Sequence, residues 1–252
     1  MKRYDKYKPS GIEWIGEIPE HWKPDRLKWV CRLEYGESLS VTDREEGEFT
    51  VYGSNGITGF HSSAISKAPC IIVGRKGSFG KINWSDKECF PIDTTYFIDK
   101  SKTDNDLRWL YYVLQNLGLD TLSKDTGVPG LNREDAYQNL VPLPSSNEQT
   151  AIANYLDEKT SQIDSLIDKK QKLIELLKEE RTAIINHAVT KGINPNAKLK
   201  PSGIEWLGDI PEHWEVKRLK YVAEKVGSGV TPTGGASVYQ EEGIPLLRSQ
   251  NI

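Results

Sequence analysis

The apolar positions of this chain follow two different rhythms on either side of residue 146. Upstream they come in short runs bounded by turn residues. Cys70–Gly74 (CIIVG) is a continuous apolar run ending in glycine, and Thr94–Ile98 (TTYFI) is rich in β-branched and aromatic residues. Both predict buried strands. Tyr52–Ser63 (YGSNGITGFHSS), with its Asn-Gly step and repeated glycines, predicts turns and loop. Asp104–Gly118 predicts a helix, with Asp104 and Asn105 as candidate caps and Gly118 as the stop. Leu140–Pro144 (LVPLP) then predicts a break in regular structure.

Downstream the rhythm becomes helical. Asn147–Val189 holds no glycine and no proline over 43 residues, with Asn147 as a candidate cap and Gly192 and Pro195 beyond the end. As one helix it spans about 65 Å at 1.5 Å per residue. A 4,3 spacing runs from Ile152 through Leu156, Lys159, Ile163, Leu166, Lys170, Leu173, Leu177, Glu180 and Ile184 to His187. Seven of these eleven positions are aliphatic, the pattern of a coiled-coil seam with polar interruptions. Ile167 and Ile174 widen the stripe and face a further surface. The chain therefore reads as three zones: a globular unit over 1–146, a long helix over 147–192, and 193–252, which opens with a linker. The fold class is α+β.

One phrase is written twice. PSGIEWIGEIPEHWKPDRLKWV (Pro9–Val30) returns as PSGIEWLGDIPEHWEVKRLKYV (Pro201–Val222), 192 positions on, with 16 of 22 positions identical. Apolar changes stay apolar or aromatic, and the polar changes include charge reversals, as on an element with a packed face and an exposed back. Ile12, Trp14, Ile15, Ile18, Trp22, Leu27 and Val30 form the expected buried set. Glu20–His21 recurs as Glu212–His213; with no nucleophile or metal ligand nearby, the pair reads as structural. The phrase is a lead-in that docks on the domain it introduces.

Composition narrows the function. The longest apolar runs fall short of the ~18 residues needed to cross a bilayer, and the start (MKRYDKYKPS) lacks the apolar core of a signal peptide. The expectation is a soluble, cytoplasmic protein. Three cysteines without C-x-x-C spacing argue against a disulfide framework or a cysteine-rich zinc site. The formal net charge is −3, yet Phe49–Ser85 contains no Asp or Glu and carries Lys67, Arg75, Lys76 and Lys81. Such a patch binds phosphate even on an acidic protein; a surface that merely lacks carboxylates explains the stretch equally well.

The pieces of an enzyme are missing. Gly74–Lys81 (GRKGSFGK) departs from a P-loop at Arg75 and Ile82, and its glycines do not make G-x-G-x-x-G. The four histidines have no metal-ligand spacing, and no cofactor site is indicated. The same loop suits nucleic acid. Its glycines admit close backbone approach to a phosphate, Arg75, Lys76 and Lys81 supply charge, and Ser78 a short hydrogen-bonding group. A second candidate is Ser123–Asp135, where Lys124, Thr126, Asn132 and Arg133 combine phosphate-binding and base-reading chemistry, and Tyr52–Ser63, with its polar tip, is a further base-reading loop. Asn132 serves equally as a helix cap, with Arg133 in solvent.

A globular unit, a long helix and a second unit with the same opening resemble the DNA specificity (S) subunit of type I restriction–modification systems. The resemblance rests on the duplicated PSGIEWIGEIPEHW, on Ile71–Trp84 (IIVGRKGSFGKINW), on Val128–Glu134 (VPGLNRE), and on Val141–Asp164 (VPLPSSNEQTAIANYLDEKTSQID) leading to Ala188–Ile193. It implies that the globular unit is a target recognition domain for double-stranded DNA and the helix a spacer that pairs antiparallel with a second one. It also implies that methyltransferase and restriction subunits supply AdoMet-dependent methylation and ATP-driven cleavage. Relative to that pattern, 193–252 reads as a linker and the N-terminal fragment of a second recognition domain, with most of that domain and the second spacer helix missing. The seam residues Ile152, Leu156, Ile163, Leu166, Leu173, Leu177 and Ile184 then form the expected helix-pairing interface, whose nearest available partner is a second copy. Two other readings stay open: a coiled-coil adaptor whose globular unit binds protein, and a stand-alone nuclease or methyltransferase.

Overall fold

The computed structural model describes residues 4–12, 15–122 and 129–225, with the isolated positions 227, 229, 233 and 239. The chain divides into two compact units, Met1–Asp168 and Lys169–Ile252. The first contains, in order, β1 (Tyr7–Pro9), β2 (Glu17–Pro19), β3 (Lys23–Arg26), α1 (Leu27–Val30), β4 (Glu34–Tyr35), β5 (Phe49–Gly53), β6 (Gly56–His61), β7 (Cys70–Gly74), β8 (Ile82–Ser85), β9 (Cys89–Pro91), β10 (Thr95–Asp99), α2 (Leu107–Gln115), α3 (Arg133–Tyr137) and β11 (Leu140–Leu143). The long helix α4 is Ser146–Lys191, 46 residues, and is followed by β12 (Leu199–Pro201) and β13 (Asp209–Pro211).

Two sheets share the centre of the first unit. An antiparallel sheet runs in the order β4-β10-β7-β8, and a three-stranded sheet in the order β6-β5-β9, with β5 and β9 parallel. Strand periodicity sends alternate side chains of β7 to opposite faces. Ile71 and Val73, with Tyr96 and Ile98 of β10, join the core built on Leu27, Leu110, Leu114 and Val141. Cys70 and Ile72, with Phe97, pack instead with Tyr52 and Cys89. This double burial explains why CIIVG reads as an unbroken apolar run.

Three elements differ from expectation. Tyr52–Ser63 is largely the β5–β6 hairpin, turning at Ser54–Asn55, because its alternate residues pair across strands rather than looping out. Leu140–Leu143 is a strand, β11, paired with β3 so that Pro142 faces Pro24. A two-stranded edge pairing leaves room for prolines, which a central strand does not. The cap of α2 is Asp106, whose carboxylate accepts from Trp109 N, one and two residues later than the caps expected.

The long helix opens on the glutamate half of a capping box, Glu148 reaching back to Ser145, rather than on Asn147. Glu148 Oε2 accepts from Ser145 N at 3.1 Å and from Ser145 Oγ at 2.7 Å. Its first turns dock on α2: buried Gln149 accepts from Asp106 N at 2.9 Å, and Asp157 accepts from Arg108 Nε at 2.7 Å and Tyr112 OH at 2.6 Å. Ile152 packs on the core and Leu156 is half-buried, so these two expected seam residues are spent on the chain's own domain. From 161 to 187 every residue is exposed, including Ile163, Leu166, Leu173, Leu177 and Ile184. Gly192, at φ 77°, ends the helix.

The hairpin that opens the duplicated phrase takes one shape twice, while its second half is β3 and α1 in the first copy and only a 3-10 turn at Leu219–Tyr221 in the second. β1 and β2 pair as Tyr7↔Pro19 through Pro9↔Glu17, and β12 and β13 as Leu199↔Pro211 through Pro201↔Asp209, the same register 192 residues on. Ile12, Ile18, Leu27 and Val30 are buried, Ile15 and Trp22 half-buried, and Trp14 lies outside the described residues. None of the six positions that differ between the copies is buried in the first.

Candidate nucleic-acid interface

Four segments distant in sequence meet at one end of β7 and β10: the turn at Ser54–Asn55, the loop 75–81, the connection 92–94 and the segment 129–133. Thr94 O ties three of them together, accepting from Arg75 N at 2.8 Å, from Lys76 N at 3.2 Å and from Ser54 Oγ at 2.5 Å. Leu131 N donates to Arg75 O at 2.8 Å, and Lys76 and Gly130 form an antiparallel bridge. Lys81 Nζ donates to Asn55 O at 2.7 Å and to Asn55 Oδ1 at 2.9 Å. The loop closes on itself through Gly74 N to Lys81 O and Gly80 N to Gly74 O. Gly80 sits at φ 75°, and a Cβ there would run into the backbone of Asp120. That close approach, more than any phosphate, is what requires glycine at this position.

Two guanidinium groups share one aromatic ring. The Arg75 Cζ lies 5.0 Å and the Arg133 Cζ 4.9 Å from the centroid of Tyr35, a ring 41% exposed. Arg75 Nη1 also donates to Asp93 O at 3.0 Å. Beneath them Tyr96 OH donates to Leu131 O at 3.1 Å; burial pushes its phenol up to about 12, so it stays a neutral donor. Both arginines are thus held in orientation rather than left to wander, as planar recognition of a phosphate or a base edge requires.

The sequence candidates fall into three groups. Arg75, Lys76, Ser78, Lys81 and Arg133 belong to the four segments just described. Lys76 and Ser78 are exposed and make no side-chain hydrogen bond among the described residues. Asn132 sits there too, but its Oδ1 accepts from Glu134 N at 2.8 Å and caps α3. Lys67 lies at the opposite end of β7, with its backbone N–H on Asp99 Oδ2 at 3.0 Å. Lys124 and Thr126 lie outside the described residues. Folding also brings Asp93, Asp120 and Glu134 to these loops, so the acid-free stretch is acid-free in sequence only.

Sequence reasoning missed Tyr35 and Thr94, whereas Ser54 and Asn55 fall within Tyr52–Ser63, which the sequence offers as a base-reading loop. Asn55 carried a signal, the Asn-Gly step; Tyr35 carried none, because it reaches the site only through pairing with Tyr96. It also missed the partner of the duplicated phrase. Glu148 Oε1 accepts from His21 Nε2 at 2.8 Å, Trp22 Nε1 at 3.1 Å and Tyr4 OH at 3.1 Å. Burial raises this carboxyl, but the bonds from Ser145, Trp22 and His21 outweigh it and hold it at about 2. Among the described residues no group of three or more His, Cys, Asp or Glu is placed to hold a metal, and no helix is long and apolar enough to cross a membrane.

The model of the type I restriction modification DNA specificity domain matches residues 19–176. The chain is 33% identical over 251 residues to the type I restriction enzyme MjaVIII specificity subunit of Methanocaldococcus jannaschii, covering 93% of this chain and 56% of that protein. In structure it is similar to the type I restriction–modification S subunit from M. genitalium, with a TM-score of 0.52 and 21% identity over 75% of this chain and 48% of that one. It is likewise similar to the HsdS subunit from Thermoanaerobacter tengcongensis, with a TM-score of 0.53 and 21% identity over 74% and 48%. At these identities the structural likeness speaks for the fold: a recognition-type domain carrying a long helix. The chain spans about half the length of these relatives.

Proposed function

The chain belongs to the family of type I restriction modification DNA specificity domains, and from that membership we propose that it is a sequence-reading, non-catalytic component of a type I restriction–modification complex. It binds double-stranded DNA and directs methyltransferase and restriction subunits, which perform methyl transfer and cleavage in the cytoplasm. The observation that carries the reading to this molecule is the convergence of Arg75, Lys76, Lys81 and Arg133 on one end of β7 and β10, with both arginines braced on Tyr35. Lys76 and Lys81 suit phosphates, where charge matters more than direction; Arg75 and Arg133 suit directed contacts. Ser78 belongs with them; Lys67 lies at the opposite end of β7 and Asn132 caps α3, and Lys124 and Thr126 are candidates from the sequence alone.

Removing one protein–phosphate interaction flattens the log–log salt dependence of binding by about 0.9. Glutamine at Arg75, Lys76 and Lys81 together is therefore expected to lower the slope by up to ~2.7 on duplex DNA, with circular dichroism unchanged. Lys76→Gln alone, at a side chain that holds no part of the loop together, is expected to lower it by about 0.9. Unaltered slopes in folded variants would overturn the assignment.

The exposed stripe Ile163–Ile184 supports a second helix lying antiparallel along α4, as the family resemblance implies. In the isolated chain we take that helix to come from a second copy. A homodimer of this kind carries two identical recognition domains and favours an inverted-repeat target.

A further inference from the structure

The tip of the β5–β6 hairpin is held from both sides. Ser54 Oγ donates to Thr94 O, and Lys81 Nζ donates to Asn55 O at 2.7 Å and to Asn55 Oδ1 at 2.9 Å. Behind the tip, Arg44 Nη1 donates to Thr58 O at 2.7 Å and Thr58 Oγ1 to Val51 O at 3.3 Å. The turn is a braced platform, which is what directed recognition needs.

Two side chains on this platform are unused within the chain. A lysine ammonium has only hydrogens to donate, so the atom of Asn55 that faces Lys81 is the amide oxygen. That fixes the amide's orientation and turns its NH2 group away from Lys81. Among the described residues no hydrogen bond reaches Asn55 Nδ2, and the residue is exposed. Ile57, two positions on, is 63% exposed. A bulge puts it there. The pairing steps from Val51↔Gly59 to Tyr52↔Ile57 and skips Thr58. Directly opposed residues share a face, so the shift sets Ile57, in place of Thr58, on the face of Tyr52. Tyr52 is buried on that face and Ile57 is not. Gly56 has no side chain to stand between Asn55 and Ile57, whose Cα atoms are at most about 7 Å apart. One base edge is within reach of both. A single exposed isoleucine is ordinary; beside an oriented, unused donor it completes a recognition pair.

We infer that Asn55 and Ile57 read a thymine in the major groove, Asn55 Nδ2 donating to its O4 and Ile57 packing on its 5-methyl group. Thymine is the one base whose major-groove edge sets an acceptor beside a methyl. Cytosine turns its N4 amino group, a donor, against Nδ2. Guanine and adenine present acceptors but no methyl. The inference rests on the DNA reading above and adds to it the base and the atoms.

The test uses the full chain. Wild-type protein selects duplexes from a randomised library, and each thymine of the selected sequence is then replaced singly by uracil, which keeps every base pair and removes one methyl. A loss of about fourfold in affinity is expected at one position, or at two symmetry-related ones, as for one buried methyl group. At that position Ile57→Ala is expected to bind the thymine and uracil duplexes alike. Asn55→Asp keeps an oxygen on Lys81 and exchanges the outward donor for an acceptor, so the preference there is expected to pass from thymine to cytosine. Circular dichroism checks that both variants are folded, and the uracil scan itself needs no variant. The inference is overturned, with the DNA reading left standing, if no uracil costs affinity. The same holds if the methyl preference survives Ile57→Ala or the thymine preference survives Asn55→Asp. A chain that selects no duplex overturns the DNA reading and the inference with it.

Discussion

Replacing Glu148 by alanine removes one carboxylate and strands the groups that converge on it: Tyr4 OH, His21 Nε2, Trp22 Nε1, and the N–H and hydroxyl of Ser145. The magnitude follows from the carboxyl itself. A pKa held at about 2 against an ordinary 4.5 corresponds to roughly 3 kcal/mol of preference for the charged form. The side chain keeps 22% of its exposure, and solvent screening reduces the contribution to about 1–2 kcal/mol. Because the folded-state pKa is depressed, this stability is fully present above pH 4.5 and is lost as pH falls through about 2. Urea unfolding of wild type and Glu148→Ala, followed by far-ultraviolet circular dichroism, is expected to show a gap of about 1–2 kcal/mol at pH 7. The gap closes progressively as the buffer is taken below pH 4.5 toward 2. Other acid-labile carboxylates such as Asp99 are common to both proteins and cancel in the difference. A gap under about 0.5 kcal/mol at pH 7, or one that does not change with pH, refutes the assignment of Glu148 as a charged anchor.

Arg133→Ala is expected to change relative affinities among DNA sequences by about 1–3 kcal/mol at one base pair; uniform weakening in a competition assay would make Arg133 a phosphate anchor only. Tyr35→Ala removes the ring that braces both arginines and is expected to weaken DNA binding by about 1 kcal/mol for each cation–π pair it abolishes, whereas unchanged affinity would show that the guanidiniums hold their places without it. Gly80→Ala puts a side chain at φ 75° against the Asp120 backbone, and differential scanning calorimetry should show a destabilisation of about 1–3 kcal/mol. Leu173→Asp sets a charge in the exposed stripe, where each leucine covered by a partner contributes about 1.5–3 kcal/mol; sedimentation equilibrium at tens of micromolar is expected to find dimeric wild type and monomeric variant, and a monomeric wild type would sink the homodimer.

What could be read from the sequence was whatever is decided locally. β7 and β10 announce themselves because burial on both faces demands an unbroken apolar run, and five residues suffice to display it. α4 is legible for the same reason, since the absence of glycine and proline is a property of the segment alone. β11 was not legible, because its prolines are tolerated only in a two-stranded pairing made with β3, more than a hundred residues earlier. The candidate interface divides along the same line. Arg75, Lys76 and Lys81 stand together in the chain and could be read as one candidate. Tyr35 stands forty residues from Arg75 and almost a hundred from Arg133, and only β4–β10 pairing and the fold of 129–133 bring the three together. Asp93 and Asp120 come to these loops through their backbones and Glu134 pairs with its neighbour Arg133, so a charge count over Phe49–Ser85 alone overstates how positive the surroundings are.

The duplicated phrase shows where a sequence signal stops and what would extend it. Repetition marked His21 and Trp22 as worth keeping, since both survive in a phrase with six changes. It did not say what they hold, because Glu148 lies 127 residues from His21. Chemistry offered a way across that distance. An imidazole and an indole N–H side by side are two donors in want of one strong acceptor, and a half-buried acceptor of that kind is most cheaply a carboxylate already fixed by a second duty. Ser145 and Glu148 stand in the spacing of a capping box at the head of the long helix, and they are where such a duty is written. A glutamate that closes its own helix cap with one oxygen has the other oriented and free, and that is the oxygen the phrase takes.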